Sequence, residues 1–431
     1  MRSSAEEPPV TAGTGAFIST RLRGLARSGF VHVLTAQGAT RVFVAVQGIL
    51  LARILGPDDL GRFALLASAL SLSGVVAQGG VPSALSRYLP LCSSAGEQER
   101  LRDTASFVGV VWAVLVGMVM ALPLTGQLLS EEPWVRSWLL CAVLVLPVQT
   151  SAQASLSLLH GQARFPKKSV LETVVAAVTF ALVLGGSLAR GLSGAALGKV
   201  GAAVAAALIV SQATGLRFPR SRAFPPGFRR FALLSLASGS FSTLLHTADT
   251  LVLGVLRIAP ASIGSYRVAS LLYAFLSMVP AAAMHTLFPR LVRLHDDPCA
   301  LRRLCLQSLR YLTLFGVVAA GAGMLAVPLL VKPLAGPEYL PGVPYVRVLS
   351  LGLVFRAVVL WAGTVILAMG RPGLNLILLV VSGAVNLALN VALVTSHGPI
   401  GAAWATVASE AASALLGGGA VLVLIRAGRR G

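Results

Sequence analysis

The chain has 431 residues, of which 56% are hydrophobic and 12% charged, and its mean hydropathy is +0.82. A soluble domain carries nearer about 25% charged residues, so this composition excludes a soluble globular fold and points to a membrane protein. The formal net charge of +20 excludes nothing by itself, but the basic residues sit in short runs between apolar stretches rather than on one solvated face, which argues against nucleic acid as a partner.

Residues 1–20 are rich in Ser, Thr, Gly, Glu and Pro and read as disordered, within a cytoplasmic tail over 1–28. Arg21, Arg23 and Arg27 precede the first apolar stretch as they would in a signal peptide. That stretch runs from Val31 to Leu55, contains Arg41 and lacks a small-residue cleavage site, so it is read as a retained first span. Stretches of about 20 apolar residues, punctuated by Pro, Gly and charge, predict twelve spans in all. They fall at 31–53, 62–85, 104–125, 135–159, 169–189, 194–215, 230–255, 264–288, 308–331, 345–369, 374–395 and 400–425. Pro123, Pro147, Pro280 and Pro328 lie within or near spans, where they could act as hinges.

With the N-terminus inside, most of the 35 Lys and Arg residues fall in the cytoplasmic segments. Arg53, Arg62, Arg136, Arg190, Arg257 and Lys332 fall in the outside loops, and five more lie inside or at the ends of spans. This asymmetry places both termini in the cytoplasm and requires an even number of spans. Cys92, Cys141, Cys299 and Cys305 have no zinc-ligand spacing and read as packing residues. The six histidines are scattered, and no nucleophile–base pair, P-loop or metal motif appears, which argues against an enzyme or an ATP-driven pump.

The chain also repeats itself. Arg53-Ile-Leu-Gly-Pro57-Asp-Asp-Leu-Gly61-Arg-Phe63 matches Arg257-Ile-Ala-Pro260-Ala-Ser-Ile-Gly264-Ser-Tyr266 at an offset of 203. Gly191-Leu-Ser-Gly194-Ala-Ala matches Gly398-Pro-Ile-Gly401-Ala-Ala at an offset of 207, and Gly161 matches Gly370 at 209. The expected organisation is a six-span half over 29–216, a basic linker over 217–229, a second six-span half over 230–425 and a tail over 426–431. Because six is even, both halves enter from the same side and are related by an axis along the membrane normal. Two such lobes can rock about a central cavity.

Several motifs resemble bacterial polysaccharide-biosynthesis flippases of the multidrug/oligosaccharidyl-lipid/polysaccharide exporter superfamily. They are Leu51-Ala-Arg-Ile-Leu-Gly-Pro-Asp-Asp-Leu-Gly-Arg-Phe63, Gly80-Val-Pro-Ser-Ala-Leu-Ser-Arg-Tyr88, Ala248-Asp-Thr-Leu-Val-Leu-Gly254 and Ile263-Gly-Ser-Tyr-Arg-Val-Ala269. Leu287-Phe-Pro-Arg290, Leu367-Ala-Met-Gly-Arg371 and Gly401-Ala-Ala-Trp-Ala-Thr406 complete the pattern over residues 25–425. The resemblance implies an all-α fold of twelve helices in two lobes, like that of the multidrug exporters. It also implies a monomer in the bacterial inner membrane that exports an undecaprenyl-diphosphate-linked oligosaccharide of O-antigen type. Glycosyltransferases and a polysaccharide polymerase would be its functional partners, and membrane lipids its surroundings.

Ionisable groups at membrane depth cost about 2.5–3.5 kcal/mol each even on the lenient insertion scale, so they are the first candidates for a transport path. Arg41, with Gln37 and Gln47 nearby in span one, and Arg356 in span ten are far from span ends and are read as cavity cations for a lipid diphosphate in preference to pairing with Glu or backbone carbonyls or snorkelling. Lys199, Arg267 and Arg347 lie nearer span ends, where snorkelling accounts for them. Lys199, Arg267 and Arg87 nonetheless complete the cationic candidate set.

Asp249, Glu410 and Glu172 are the acidic candidates; a buried carboxylate could couple transport to H⁺ or Na⁺, and no other cofactor is expected. Thr247 and Thr250 flank Asp249 as local hydrogen-bond partners, and Glu172 reads as interfacial, near Lys167 and Lys168. Asn386 and Asn390, four apart on one helix face, either line a cavity or join helices, with the second preferred. A cation-coupled multidrug antiporter is the rival function, and interior arginines disfavour its cationic cargo. A peptidoglycan-precursor flippase would bring two further spans.

Overall fold

The computed structural model describes residues 30–120, 133–162, 164–214, 224–294 and 297–427; a few side chains inside these helices, Gln37 and Arg41 included, lie outside the described residues. Every regular element described is helical. In chain order they are α1 Phe30–Ala77, α2 Val81–Tyr88, α3 Ala95–Met120, α4 Pro133–Gly161, α5 Phe165–Thr214 and α6 Phe228–Val255. There follow α7 Pro260–Arg293, α8 Pro298–Leu334, α9 Val343–Ala368, α10 Pro372–His397 and α11 Pro399–Ala427. Short 3₁₀ turns at Leu89–Leu91 and Pro337–Gly342 complete the set. Helix α2 is too short to cross a bilayer, while α1 and α5 are each two arms joined at a kink. The long segments therefore agree with the expected twelve.

The kinks explain where the expected boundaries fail. Gly56 takes φ 73° and ψ 175°, a conformation closed to L side chains, and Pro57 opens the second arm, where its missing N–H costs nothing. The turn between the first two spans is thus a single residue rather than a loop over 53–62. The second arm ends at Ala77, and residues 81–85, expected to continue it, belong to α2 instead. In α5 the corner is Gly191, at φ 58° and ψ −134°. Its repeat partner Gly398, between α10 and α11, has nearly the same backbone, φ 66° and ψ −149°. Both corners close alike: Gly194 abuts the Gly186 carbonyl, and Gly401 abuts that of Leu393, at the same offset of 207.

These breaks fall at glycines, while Pro147 and Pro280 sit within continuous helices. Pro123, and the side chains of Cys141 and Pro328, lie outside the described residues. Of the other cysteines, Cys305 is buried as a packing residue should be, but Cys299 is exposed.

In the first half α1 packs on α5, and α4 on α3 and α5; in the second, α9 packs on α7, α8 and α11, and α10 on α11. The halves meet where α1 lies against α6 and α7. At the end remote from the basic segments this seam is tight. A Cβ on Gly61 would collide with the Pro260 carbonyl, and one on Gly264 with the Pro57 carbonyl. The repeated Pro and Gly residues thus pack on each other about the pseudo-two-fold. At the same end Arg53 donates to the last carbonyls of α8, Nε to Leu334 O at 2.9 Å and Nη2 to Pro333 O. The Tyr339 hydroxyl donates to Ala52 O at 2.9 Å. These bonds tie the first half to the second and satisfy carbonyls that a helix end leaves open.

Candidate functional site

Below the closed end, the two halves enclose a divided cavity. Its first chamber, about 720 Å³, belongs mainly to the first half, with Gln47 from α1, Gln153 from α4, and Glu172 and Lys199 from α5. The second, about 580 Å³, lies in the second half between α6, α7, α9, α10 and α11. The third, about 680 Å³, runs between the first arm of α1, α7 and α9 toward Phe288 and Leu367 at the basic end, and its wall is mostly apolar. Val44 and Leu271 line all three chambers, so they are lobes of one space.

Helix α7 divides this space. Tyr266 and Tyr273 are seven residues apart, two turns along one face, and both point into the second half. Tyr266 donates to Asp249 Oδ2 at 2.5 Å, and Tyr273 donates to Glu410 Oε2 at 2.5 Å. One position on from Tyr266 the helix has turned by about 100°, and Arg267 lines both the first and second chambers.

The two chambers differ in charge. In the second, Asp249 accepts from Thr406 Oγ1 at 2.8 Å and Asn390 Nδ2 at 2.8 Å besides Tyr266. Its partners are therefore on α7, α10 and α11, rather than the neighbouring Thr247 and Thr250; Thr247 bonds back to Thr243 O. Asn386 Nδ2 donates to Ser409 Oγ at 2.9 Å, so both asparagines join helices while Asn386 also lines the chamber. Arg356 Nη1 stands 3.6 Å from Glu410 Oε1, an ion pair that offsets both charges, and it faces the second and third chambers.

The first chamber is different. Lys199 on α5 and Arg267 on α7 approach it from opposite halves, and neither makes a hydrogen bond or ion pair among the described residues. Snorkelling, the expectation for both, does not describe them: they face an interior chamber rather than an interface. Glu172, also on its wall, pairs at 3.5 Å with Lys168. Among the described residues, neither of these two partly buried cations has a carboxylate bonded to it, and burial of such charges is costly until an anion offsets them.

Of the other candidates, Arg87 stands apart, exposed at the end of α2 with its guanidinium 4.6 Å from the Phe231 ring. The side chains of Arg41 and Gln37 lie outside the described residues. Residue-by-residue reading passed over Tyr266, Tyr273, His246, Gln153 and Thr406, all of which line the cavity. The seven-residue tyrosine spacing on an apolar helix, and Thr406 four before Glu410, were the available signals.

The family of polysaccharide biosynthesis proteins matches residues 25–295, well over half of the chain. The chain belongs to this family. Members of the family and its structural neighbours are membrane transporters rather than enzymes. A probable low-salt glycan biosynthesis flippase of Haloferax volcanii, Agl15, is 22% identical over 405 residues, covering 91% of this chain and 82% of its own. Among solved structures, the lipid II flippase MurJ in an inward closed conformation superposes with TM-score 0.77 at 16% identity, over 91% of this chain and 87% of that one. An inward-facing multidrug resistance transporter of the MATE family gives TM-score 0.72 at 15% identity, over 91% and 96%. This chain thus shares the fold of these two membrane transporters.

Proposed function

We propose that this protein is a flippase that carries an undecaprenyl-diphosphate-linked oligosaccharide from the cytoplasmic to the outer leaflet of a bacterial inner membrane. The observation that carries the reading is the pair of uncompensated cations, Lys199 and Arg267, facing one chamber from opposite halves. A diphosphate bridging them replaces the hydration it loses with charge-assisted hydrogen bonds. Because the two cations come from different lobes, bound cargo favours whichever state draws the lobes together, and this biases the alternation of access. The apolar third chamber reaches the basic end between α1 and α7 and offers the lipid tail a path along the bilayer. The positive-inside rule assigns that basic end to the cytoplasm. The name of the Haloferax volcanii relative, a glycan biosynthesis flippase, supports the same cargo class.

Coupling is assigned to Asp249, whose carboxylate gathers hydroxyl and amide groups from three helices. Binding of H⁺ or Na⁺ there changes what those groups can donate to, and so the packing of α6 against α10 and α11. The same acids favour a second reading, export of a cationic drug, which would place its cargo beside Asp249 and Glu410. Purified protein in proteoliposomes separates the two. Translocation of a fluorescent lipid-diphosphate oligosaccharide, absent from protein-free vesicles, is the expected result. Accumulation of a cationic dye with no movement of the lipid would establish the drug exporter instead.

A further inference from the structure

The pseudo-two-fold relates the cleft between the first arm of α1 and α7 to the seam between α6 and the second arm of α1. The first is an open apolar chamber, whereas the second is sealed at the basic end. There Gly80 lies against the backbone of Ala232 and Leu236, and Trp112 of α3 donates from its indole to Val76 O at 2.8 Å. Beside this seal is a separate groove of about 570 Å³ that shares no residue with the central cavity. Its walls are Phe107, Val108 and Trp112 of α3 on one side and Leu233 and Leu236 of α6 on the other.

The mouth of the groove has the chemistry of a headgroup layer. Phe224 stacks on Phe228 at 4.8 Å, and Tyr88 of α2 packs against Phe228 at 5.5 Å. Arg229, which lines the groove, lies 5.7 Å from the Phe224 ring, whereas Arg87 lies over Phe231 outside its lining. Both guanidiniums are exposed, and neither has a carboxylate partner among the described residues. The amphipathic ring of Tyr88 suits the level of lipid headgroups, and anionic headgroups collect where arginines do. Inward from them the lining is apolar but for Thr104, and Leu233 is 65% exposed to the bilayer side.

We propose that this groove between α3 and α6 is a resident site for one anionic phospholipid, its phosphate on Arg229 and one acyl chain along Phe107, Val108, Trp112 and Leu233. The lipid touches both halves and holds the α1–α6 seam shut while the related α1–α7 cleft stays open. The site does not depend on the cargo. Arg229 should contribute roughly fivefold to the preference for an anionic over a zwitterionic headgroup.

Native mass spectrometry of the full chain, titrated with phosphatidylglycerol or phosphatidylcholine, tests this. Wild-type protein should retain phosphatidylglycerol at least about fivefold more strongly. Arg229→Gln should remove most of that preference, and Val108→Trp with Leu233→Trp, which fill the groove from its open side, should remove the bound lipid. A phosphatidylglycerol carrying a photoreactive group in mid-chain supplies a readout on the unmodified protein, with crosslinks expected in 107–112 or 233–236. Equal retention of the two lipids, undiminished retention by the filled groove, or crosslinks only elsewhere would each overturn the proposal. So would displacement of phosphatidylglycerol from these crosslinks by an equimolar polyprenyl phosphate.

Discussion

Replacing Arg267 should raise stability and lower transport at once. A guanidinium and a phosphate about 4 Å apart attract by about 4 kcal/mol at an effective dielectric constant near 20. The net value of a hydrogen bond to a charged group is smaller, about 1.5–3 kcal/mol, because water is displaced from both partners. Arg267→Gln should therefore weaken cargo engagement by about tenfold to a hundredfold. The arginine has no partner among the described residues, so its loss removes a desolvation penalty without orphaning a counter-charge. Initial rates of flipping at subsaturating cargo, followed by a membrane-impermeant quencher, should fall by that factor, while the melting temperature in detergent stays level or rises. Arg267→Lys should recover part of the rate, since it keeps the charge but loses the fork of donors. Full flipping activity in Arg267→Gln, with unchanged cargo affinity, would refute the assignment of the diphosphate to this chamber.

Other consequences follow from the same contacts. Gly264→Val places methyl groups against the Pro57 carbonyl, so the closed seam must part; a cysteine pair across it should lose its crosslink. Tyr339→Phe and Arg53→Gln each remove seam hydrogen bonds worth about 1 kcal/mol, and each should increase labelling of cavity cysteines from the far end by about fivefold. Asp249→Asn leaves one acceptor where Tyr266, Thr406 and Asn390 now meet a carboxylate. Stability should drop by about 1–3 kcal/mol in thermal melts, and the dependence of transport on the coupling ion should vanish. In contrast to Arg267→Gln, Arg356→Gln leaves Glu410 without its cation and should lower the melting temperature; pairing it with Glu410→Gln should restore much of the loss.

The order of helices, the twofold repeat and the placement of basic segments were legible in the sequence, because a bilayer imposes them locally. An apolar run must be long enough to cross, and its flanks must carry charge. Even the shared corners at Gly191 and Gly398 showed as a matched pair, since only glycine accepts that backbone. The exact ends of the second span did not show, because the break at Gly56 leaves no loop between apolar arms and Gly79 ends the helix without a change in composition. Still less visible was which polar residues meet.

Arg356 sits mid-span and Lys199 nearer a span end, and neither position along the chain says which group the cation meets. Packing of α9 against α11 gives Arg356 the carboxylate of Glu410, whereas Lys199 faces Arg267 of the other half across an open chamber. Pairing depends on helix rotation and on contacts between residues more than a hundred positions apart, as between Asp249 and Asn390. Hydropathy, charge and the internal repeat along the chain thus determined that this is a multi-span membrane protein built from two related halves. Only the tertiary structure decided which of its buried charges are neutralised by neighbours and which meet no partner among the described residues, because desolvation is offset by whatever the packed helices bring within reach.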